Sequence, residues 1–263
     1  MSISLLKKMR EVTLPQLVKA LQAVGVKAGD GLLIHSALQY FGRPEGGIGI
    51  YMDALLEVIG LEGTVVVPTF NFDFARGEDY NPQTAPSVDM GAFSEYVRQS
   101  PKSLRTTHPM QSFALIGKHA VELASCDTPS AFDDGSAVDR MLDLNFKLLL
   151  FGADIQASAI FHYSEHRAEV PYRYWKDFTG RILRDGEWQE ATYKMFVRDL
   201  DVDAQIVIYD IQSMLERKGQ WSSVTLNYGT ISLCSLKDFV STNDQFLAKD
   251  PWVFVTNLPE RSQ

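Results

Sequence analysis

The sequence predicts an α/β protein: an α/β/α sandwich whose mixed central sheet has a parallel core and an antiparallel hairpin towards one edge. Three observations carry this. Short, fully apolar runs alternate with segments of helical periodicity up to Gly152, the pattern of buried strands joined by helices. Two of these runs give out into polar or glycine residues, as buried strands do at a ligand-facing edge. After Arg167 the texture changes, and Asp185-Gly186 is a hairpin signal between RIL and the polar, aromatic EWQEATYKMFV, over Arg181–Leu200.

The elements follow in order. Thr13 precedes LPQLVKALQAVG, with Pro15 in the first turn, Gln16 three residues after the cap and Gly25 at the end, the signature of one amphipathic helix. Gly29-Asp30-Gly31 turns the chain into LLIH, a buried strand ending at His35-Ser36. A glycine-bearing loop leads to the helix IYMDALLEVIG, and TVVVPTF is a second buried strand stopped by Pro68. Asn71–Asp89 is polar and aromatic without periodicity, the length of a lid or binding loop. A short helix over Gly91–Gln99 follows, then the strand SFALIG, a helix from Lys118, another over Ser136–Leu144, and the strand KLLLF at Lys147–Phe151. A helix over Ala157–Ala168, one over Asp201–Lys218, strand and turn over Trp221–Leu233 and a last helix at Leu236–Leu247 complete the chain. No linker or repeat divides it, so residues 1–263 read as one domain.

The 263 residues are 45% hydrophobic and 22% charged, enough for a sizeable core. A net charge of −8 argues against a nucleic-acid backbone or an anionic membrane as partner. Cys126 and Cys234 form no metal or disulfide pattern. The N-terminus lacks a signal-peptide apolar core, and no apolar window reaches membrane-spanning length. A soluble cytoplasmic protein is expected, monomeric or dimeric.

The chemistry centres on Gly152–Arg167. In a helix over Ala157–Ala168, His162 and His166 stack at i,i+4 and Glu165 lies three after His162 on nearly the same face. That group could pass protons, hold a metal or decorate a helix. The order differs from HExxH, and the spacing nominates no third ligand, so no metal is expected. A histidine acts as a base at neutral pH when a carboxylate orients it, here Glu165 or, from across the fold, Asp199 or Asp201. His35 and Ser36 end a strand, where freed N–H groups and a hydroxyl can stabilise an oxyanion. Arg105 and His108, before Pro109, could contact an anion.

Several stretches, taken together, resemble the aminoglycoside 3-N-acetyltransferase (antibiotic N-acetyltransferase) family. They are GDGLLIHSAL (Gly29–Leu38), DALLEVIGLEGTVVVPTF (Asp53–Phe70), RTTHPMQSFALIG (Arg105–Gly117), Gly135–Ala168 and GTISLCSLKDFV (Gly229–Val240). The resemblance implies transfer of an acetyl or other short acyl group from coenzyme A to an amine of an aminosugar. It implies that His35, Ser36, Ala37 and Leu38 lie along the pantetheine and thioester. Arg105, His108, Pro109, Ser112 and Phe113 would help form the coenzyme A site, and His162 would be the general base with Glu165 as its acid. The family's acid-rich strand is matched by Arg198–Asp201, which leaves Asp199, Asp201 and Glu165 as alternative partners of His162. Asp73, Glu78, Asp79 and His166 are candidate substrate contacts. The loop Asn71–Asp89 is shorter and less acidic than in the resistance enzymes. It would suit a less charged acceptor, such as a nucleotide-linked or polysaccharide-precursor aminosugar. A metal-dependent amidohydrolase built on His162, His166 and His35 is the rival of another class.

Overall fold

A computed structural model describes residues 11–257. In chain order it runs β1 (Glu11–Val12), α1 (Leu14–Val24), β2 (Gly31–Ser36), β3 (Arg43–Pro44), α2 (Gly49–Ile59), β4 (Thr64–Pro68), α3 (Gly91–Arg98), β5 (Leu104–Arg105), β6 (Phe113–Gly117) and α4 (Ala120–Ala124). It continues with α5 (Ala137–Asp143), β7 (Lys147–Phe151), α6 (Phe161–Arg167), β8 (Arg173–Arg184), β9 (Glu187–Arg198), α7 (Tyr209–Arg217), β10 (Ser222–Leu226), β11 (Gly229–Ser235) and α8 (Leu236–Leu247).

Seven strands form the central sheet in the order β10-β11-β7-β2-β4-β6-β5. The inner trio β7, β2 and β4 is parallel, and every other pairing is antiparallel. The period-2 alternation of the strands sorts their side chains into two cores. Leu33, Leu148, Leu150, Val66 and Leu115 meet α5, α6 and α8 on one face. Leu32, Ile34, Leu149, Phe151, Val65 and Val67 meet α1, α2 and α3 on the other. The sandwich with a mixed sheet is as expected. Two details differ: the sheet is antiparallel at both edges, and the Asp185-Gly186 hairpin is not one of them. That hairpin, β8–β9, is a separate ribbon starting at Arg173, eight residues before the expected strand. It is turned by Asp185 and Gly186, both at positive φ, and packs on the loop after β4 through Phe74, Tyr80, Met110, Ile182, Tyr193 and Met195. Tyr80 pairs with Ile182, so the loop lies against the ribbon as a one-residue strand.

Local chemistry explains most boundaries. At α1, the Thr13 N–H donates to Gln16 Oε1 at 2.9 Å, and Gly25 ends the helix at φ 106°. Two expected helices are shorter than their pattern. Over Ala157–Ala168 only Phe161–Arg167 is α-helical, because Ser158 is extended and the Ala159 N–H is taken by His35 Nε2. Over Asp201–Lys218 the helix starts at Tyr209, because the Asp199 carboxylate captures the Asp201 N–H and Asp203 sits at φ 44°. Among the described residues no helix is long and apolar enough to cross a membrane.

Candidate active site

The site forms where β2 and β7, neighbours in the parallel centre, both run out. Ser36 bridges to Gly152, and the chain turns at Gly152 with φ 79°. A Cβ there would stand 2.5 Å from the Ala37 carbonyl oxygen, so only glycine allows this close approach. The loop that follows is fixed from both sides. Asp154 caps the turn Ile155–Ala157 through the Gln156 N–H, and the Ala159 N–H donates to His35 Nε2 at 3.3 Å. Asn243 on α8 donates to the Phe161 carbonyl at 3.3 Å. Together these contacts deliver α6, and with it His162, to one place.

His162 and Glu165 lie on one face of α6, with Nδ1 and Oε2 2.5 Å apart. Glu165 is fully buried, and Arg173 Nε, from the start of β8, lies 2.9 Å from the same oxygen. Tyr172 adds a phenol beside the carboxylate, and its ionisation is pushed up by burial and by the Glu165 charge. Burial works against the Glu165 carboxylate, but His162 and Arg173 outweigh it and hold the group below its ordinary range. Two groups face Nδ1, the Glu165 carboxylate at 2.5 Å and Arg173 Nη2 at 3.3 Å; the carboxylate is the nearer and can only accept, which assigns the ring proton to Nδ1 and leaves Nε2 as the acceptor. The His162 side chain is 39% exposed, and it faces open space.

That space is two adjoining cavities that share Phe72, His162, Arg173 and Arg198 as walls. One, of about 290 Å³, is completed by Gln111, Phe132, Glu165 and the β9 segment Met195–Val197. The other, of about 440 Å³, is completed chiefly by His35, Phe70, Met90, Gln156–Ala159 and Ile206. A side chain with a free nitrogen between two cavities can move a proton between a molecule in one and a molecule in the other.

His35 joins the site as an acceptor that holds the loop. Burial, and then the nearby His162, lower its pKa to about 4, so it is neutral at physiological pH. The rest of its segment turns away. Ala37 gives its N–H to the Phe151 carbonyl at 3.0 Å, which removes one of the donors expected for an oxyanion, and Leu38 packs on the α1–α3 side of the sheet.

The HPMQSF segment is mostly interior. His108 accepts the Gln111 N–H on Nδ1 at 3.0 Å, stacks edge-on to Tyr193, and is held neutral by burial, its pKa lowered to about 4. Ser112 is fully buried against Thr69, and Pro109 and Phe113 are buried beside it. Arg105 donates to Ser112 Oγ and to the carbonyls of Pro82, Ala85 and Thr69, at 2.6–3.1 Å. Its guanidinium ties down the loop after β4 and contacts no anion among the described residues. Only Gln111 of this segment reaches the His162 cavities.

The remaining candidates stand apart. Asp199 and Asp201 belong to the turn after β9 and line neither cavity, so Glu165 is the acid the fold brings to His162. Asp73, Glu78 and Asp79 line a different groove, where Asp73 accepts from Arg76 and Asp79 from Arg181. His166 points away from His162, 3.5 Å from Asp133 and edge-on to Trp175; burial lowers its pKa. The two histidines thus diverge, and among the described residues no three His, Cys, Asp or Glu side chains converge as metal ligands. Phe72 lies in the loop Asn71–Asp89 that the sequence marks as a binding loop. Sequence reasoning missed Phe132, Arg173 and Arg198, of which only Arg198 had a signal, as the first residue of the RDLD match.

A sequence profile described as aminoglycoside 3-N-acetyltransferase matches residues 33–248. The chain belongs to that family. It is 28% identical over 225 residues to aminoglycoside N(3)-acetyltransferase VII of Streptomyces paromomycinus, covering 78% of this chain and 75% of that one. It superposes on aminoglycoside acetyltransferase AAC(3)-IVa, solved as a histidine-to-alanine mutant in complex with a gentamicin, with a TM-score of 0.77, 26% identity, and 94% and 92% of the two chains covered. It shares the fold of AAC-IIIb, solved as a binary complex with CoASH, at TM-score 0.81 and 21% identity, over 95% of this chain and 100% of that one.

Proposed function

We propose that the protein transfers an acetyl group from acetyl-coenzyme A to an amine of an aminoglycoside or other aminosugar, with His162 as general base. One observation carries the reading: His162, held by buried Glu165, stands on the wall common to two cavities, its Nε2 engaged by none of the described residues. The CoASH bound to AAC-IIIb supports the donor, and the gentamicin bound to AAC(3)-IVa supports an amine acceptor.

The step needs a neutral amine. Its lone pair attacks the thioester carbonyl carbon while one N–H proton passes to His162 Nε2. The resulting imidazolium is paired through Nδ1–H with the Glu165 carboxylate, whose charge Arg173 balances. The C–S bond then breaks, the thiolate takes the proton from Nε2, and the products are an amide and free coenzyme A. Arg173 and Arg198 on the shared wall favour the neutral over the ammonium form of a bound amine. Positioning both substrates on the two sides of one base is the other half of the rate enhancement.

The test is acceptor-dependent release of free thiol from acetyl-coenzyme A over a panel of aminoglycosides, simple aminosugars and nucleotide-linked aminosugars, with the product identified by mass. Acetylated amine in proportion to thiol is the expected result. Acetyl-coenzyme A that neither binds nor turns over with any amine would overturn the reading.

A further inference from the structure

The charges around His162 do not suit a polycation. Among the described residues Glu165 is the only acid in either cavity wall, and it is buried and already paired with His162 and Arg173. Asp73, Glu78 and Asp79 of the loop after β4 face another groove, and two of them are held by arginines, while Asp89 at the loop's end lines neither cavity. What the shared wall does present is Arg173 and Arg198. These are direct cross-strand partners at the open end of the hairpin, so both leave the ribbon on the same face. Like charges in such a pair repel, and Arg173 is neutralised by Glu165. Arg198 has no ion pair and no side-chain hydrogen bond among the described residues, although it is exposed and lines both cavities.

We propose that the amine acetylated here is carried on a phosphate-bearing aminosugar, and that Arg198 pairs with that phosphate. The inference rests on the transferase reading above and names its acceptor class. The phosphates of an acyl-coenzyme A are separated from its thioester by the whole pantetheine arm. The substituents of an aminosugar lie within a ring's width of its amine. An arginine sharing its walls with the catalytic base is therefore placed for the acceptor's anion rather than the donor's. Its planar fork matches two phosphate oxygens.

The experiment compares thiol release from acetyl-coenzyme A with glucosamine, glucosamine 6-phosphate, UDP-glucosamine and kanamycin, using wild type, Arg198→Gln, Arg198→Lys and His162→Ala. A phosphorylated sugar is expected to exceed glucosamine in kcat/KM by roughly 10- to 100-fold, the weight of a charge-assisted pair, with a preference that weakens as salt rises. Arg198→Gln removes that preference by raising KM for the phosphorylated sugar, and Arg198→Lys restores part of it. Three results would overturn the proposal while leaving the transferase reading intact: kanamycin preferred, glucosamine and its phosphate used alike, or Arg198→Gln raising KM for acetyl-coenzyme A instead. Release with none of the four acceptors overturns this inference; acetyl-coenzyme A that also fails to bind, or release that survives His162→Ala, overturns the transferase reading, with His162 as its base, as well.

Discussion

Glu165→Gln isolates the buried charge at the centre of the site. The amide keeps the shape of the carboxylate, so packing is preserved and only the charge changes. Glu165 is fully buried, and the Arg173 side chain beside it is 13% exposed, so the variant leaves a guanidinium largely out of water without its counter-charge. Breaking a buried pair from one side costs about 3–5 kcal/mol. At roughly 2–4 °C per kcal/mol for a chain of this size, the melting temperature should fall by about 6–20 °C. Turnover should fall as well, for a separate reason. A glutamine can present its NH₂ to His162 Nδ1, which then becomes an acceptor and moves the ring proton to Nε2. The base is lost to the wrong tautomer, and kcat should drop by roughly 10²–10⁴. Calorimetry and thiol release measure the two effects. The double variant Glu165→Gln, Arg173→Gln should recover at least half of the lost melting temperature and none of the turnover. A single variant that melts within about 2 °C of wild type, or a double variant no more stable than the single, would refute the buried-pair argument.

The other predictions concern what supports the site. His35 and His108 are buried, with pKa values lowered to about 4 against about 6.5 in an unfolded chain, so the unfolded state takes up these protons first. The stability each contributes, about 3 kcal/mol, is fully present above about pH 6.5 and is lost as pH falls towards about 4. Urea midpoints measured across that window should fall steadily, and His108→Gln should flatten part of the slope; a midpoint independent of pH would contradict this. Arg105→Lys removes the planar fork that grips three carbonyls and Ser112. It should destabilise by about 1.5–3 kcal/mol and speed protease cleavage within residues 71–89. Because Phe72 of that loop lines both cavities, KM should rise too; an unaltered cleavage pattern would count against the staple.

The sheet was legible because its strands are fully apolar and bounded by turn residues. GLLIHS, TVVVP, FALIG and KLLLF are all strands of the sheet, and the caps at Thr13 and Gly25 work as their residue types demand. His162 and Glu165 were legible for a similar reason: three residues apart on a helix is a contact that spacing alone fixes. The start of the hairpin was not. RYWKDFTG is exposed along most of its length and shows no clean alternation, because its ribbon packs on a loop rather than on the sheet. Arg173 was hidden with it. Polar residues inside the core are the opposite case. Arg105, His108 and Ser112 look like ligand contacts in sequence, yet each satisfies its hydrogen bonds within the fold. Asp199 is similar, since an aspartate that captures a backbone N–H in a turn, here that of Asp201, reads like a free acid.

The claim that His162 is the base between two substrates is tested most directly by His162→Ala. The measurement is kcat for thiol release with the best acceptor, alongside the melting temperature and the affinity for acetyl-coenzyme A. The account predicts a loss of roughly 10²–10⁴ in kcat with melting temperature and donor affinity close to wild type. A variant that folds, binds acetyl-coenzyme A and keeps its turnover would contradict it.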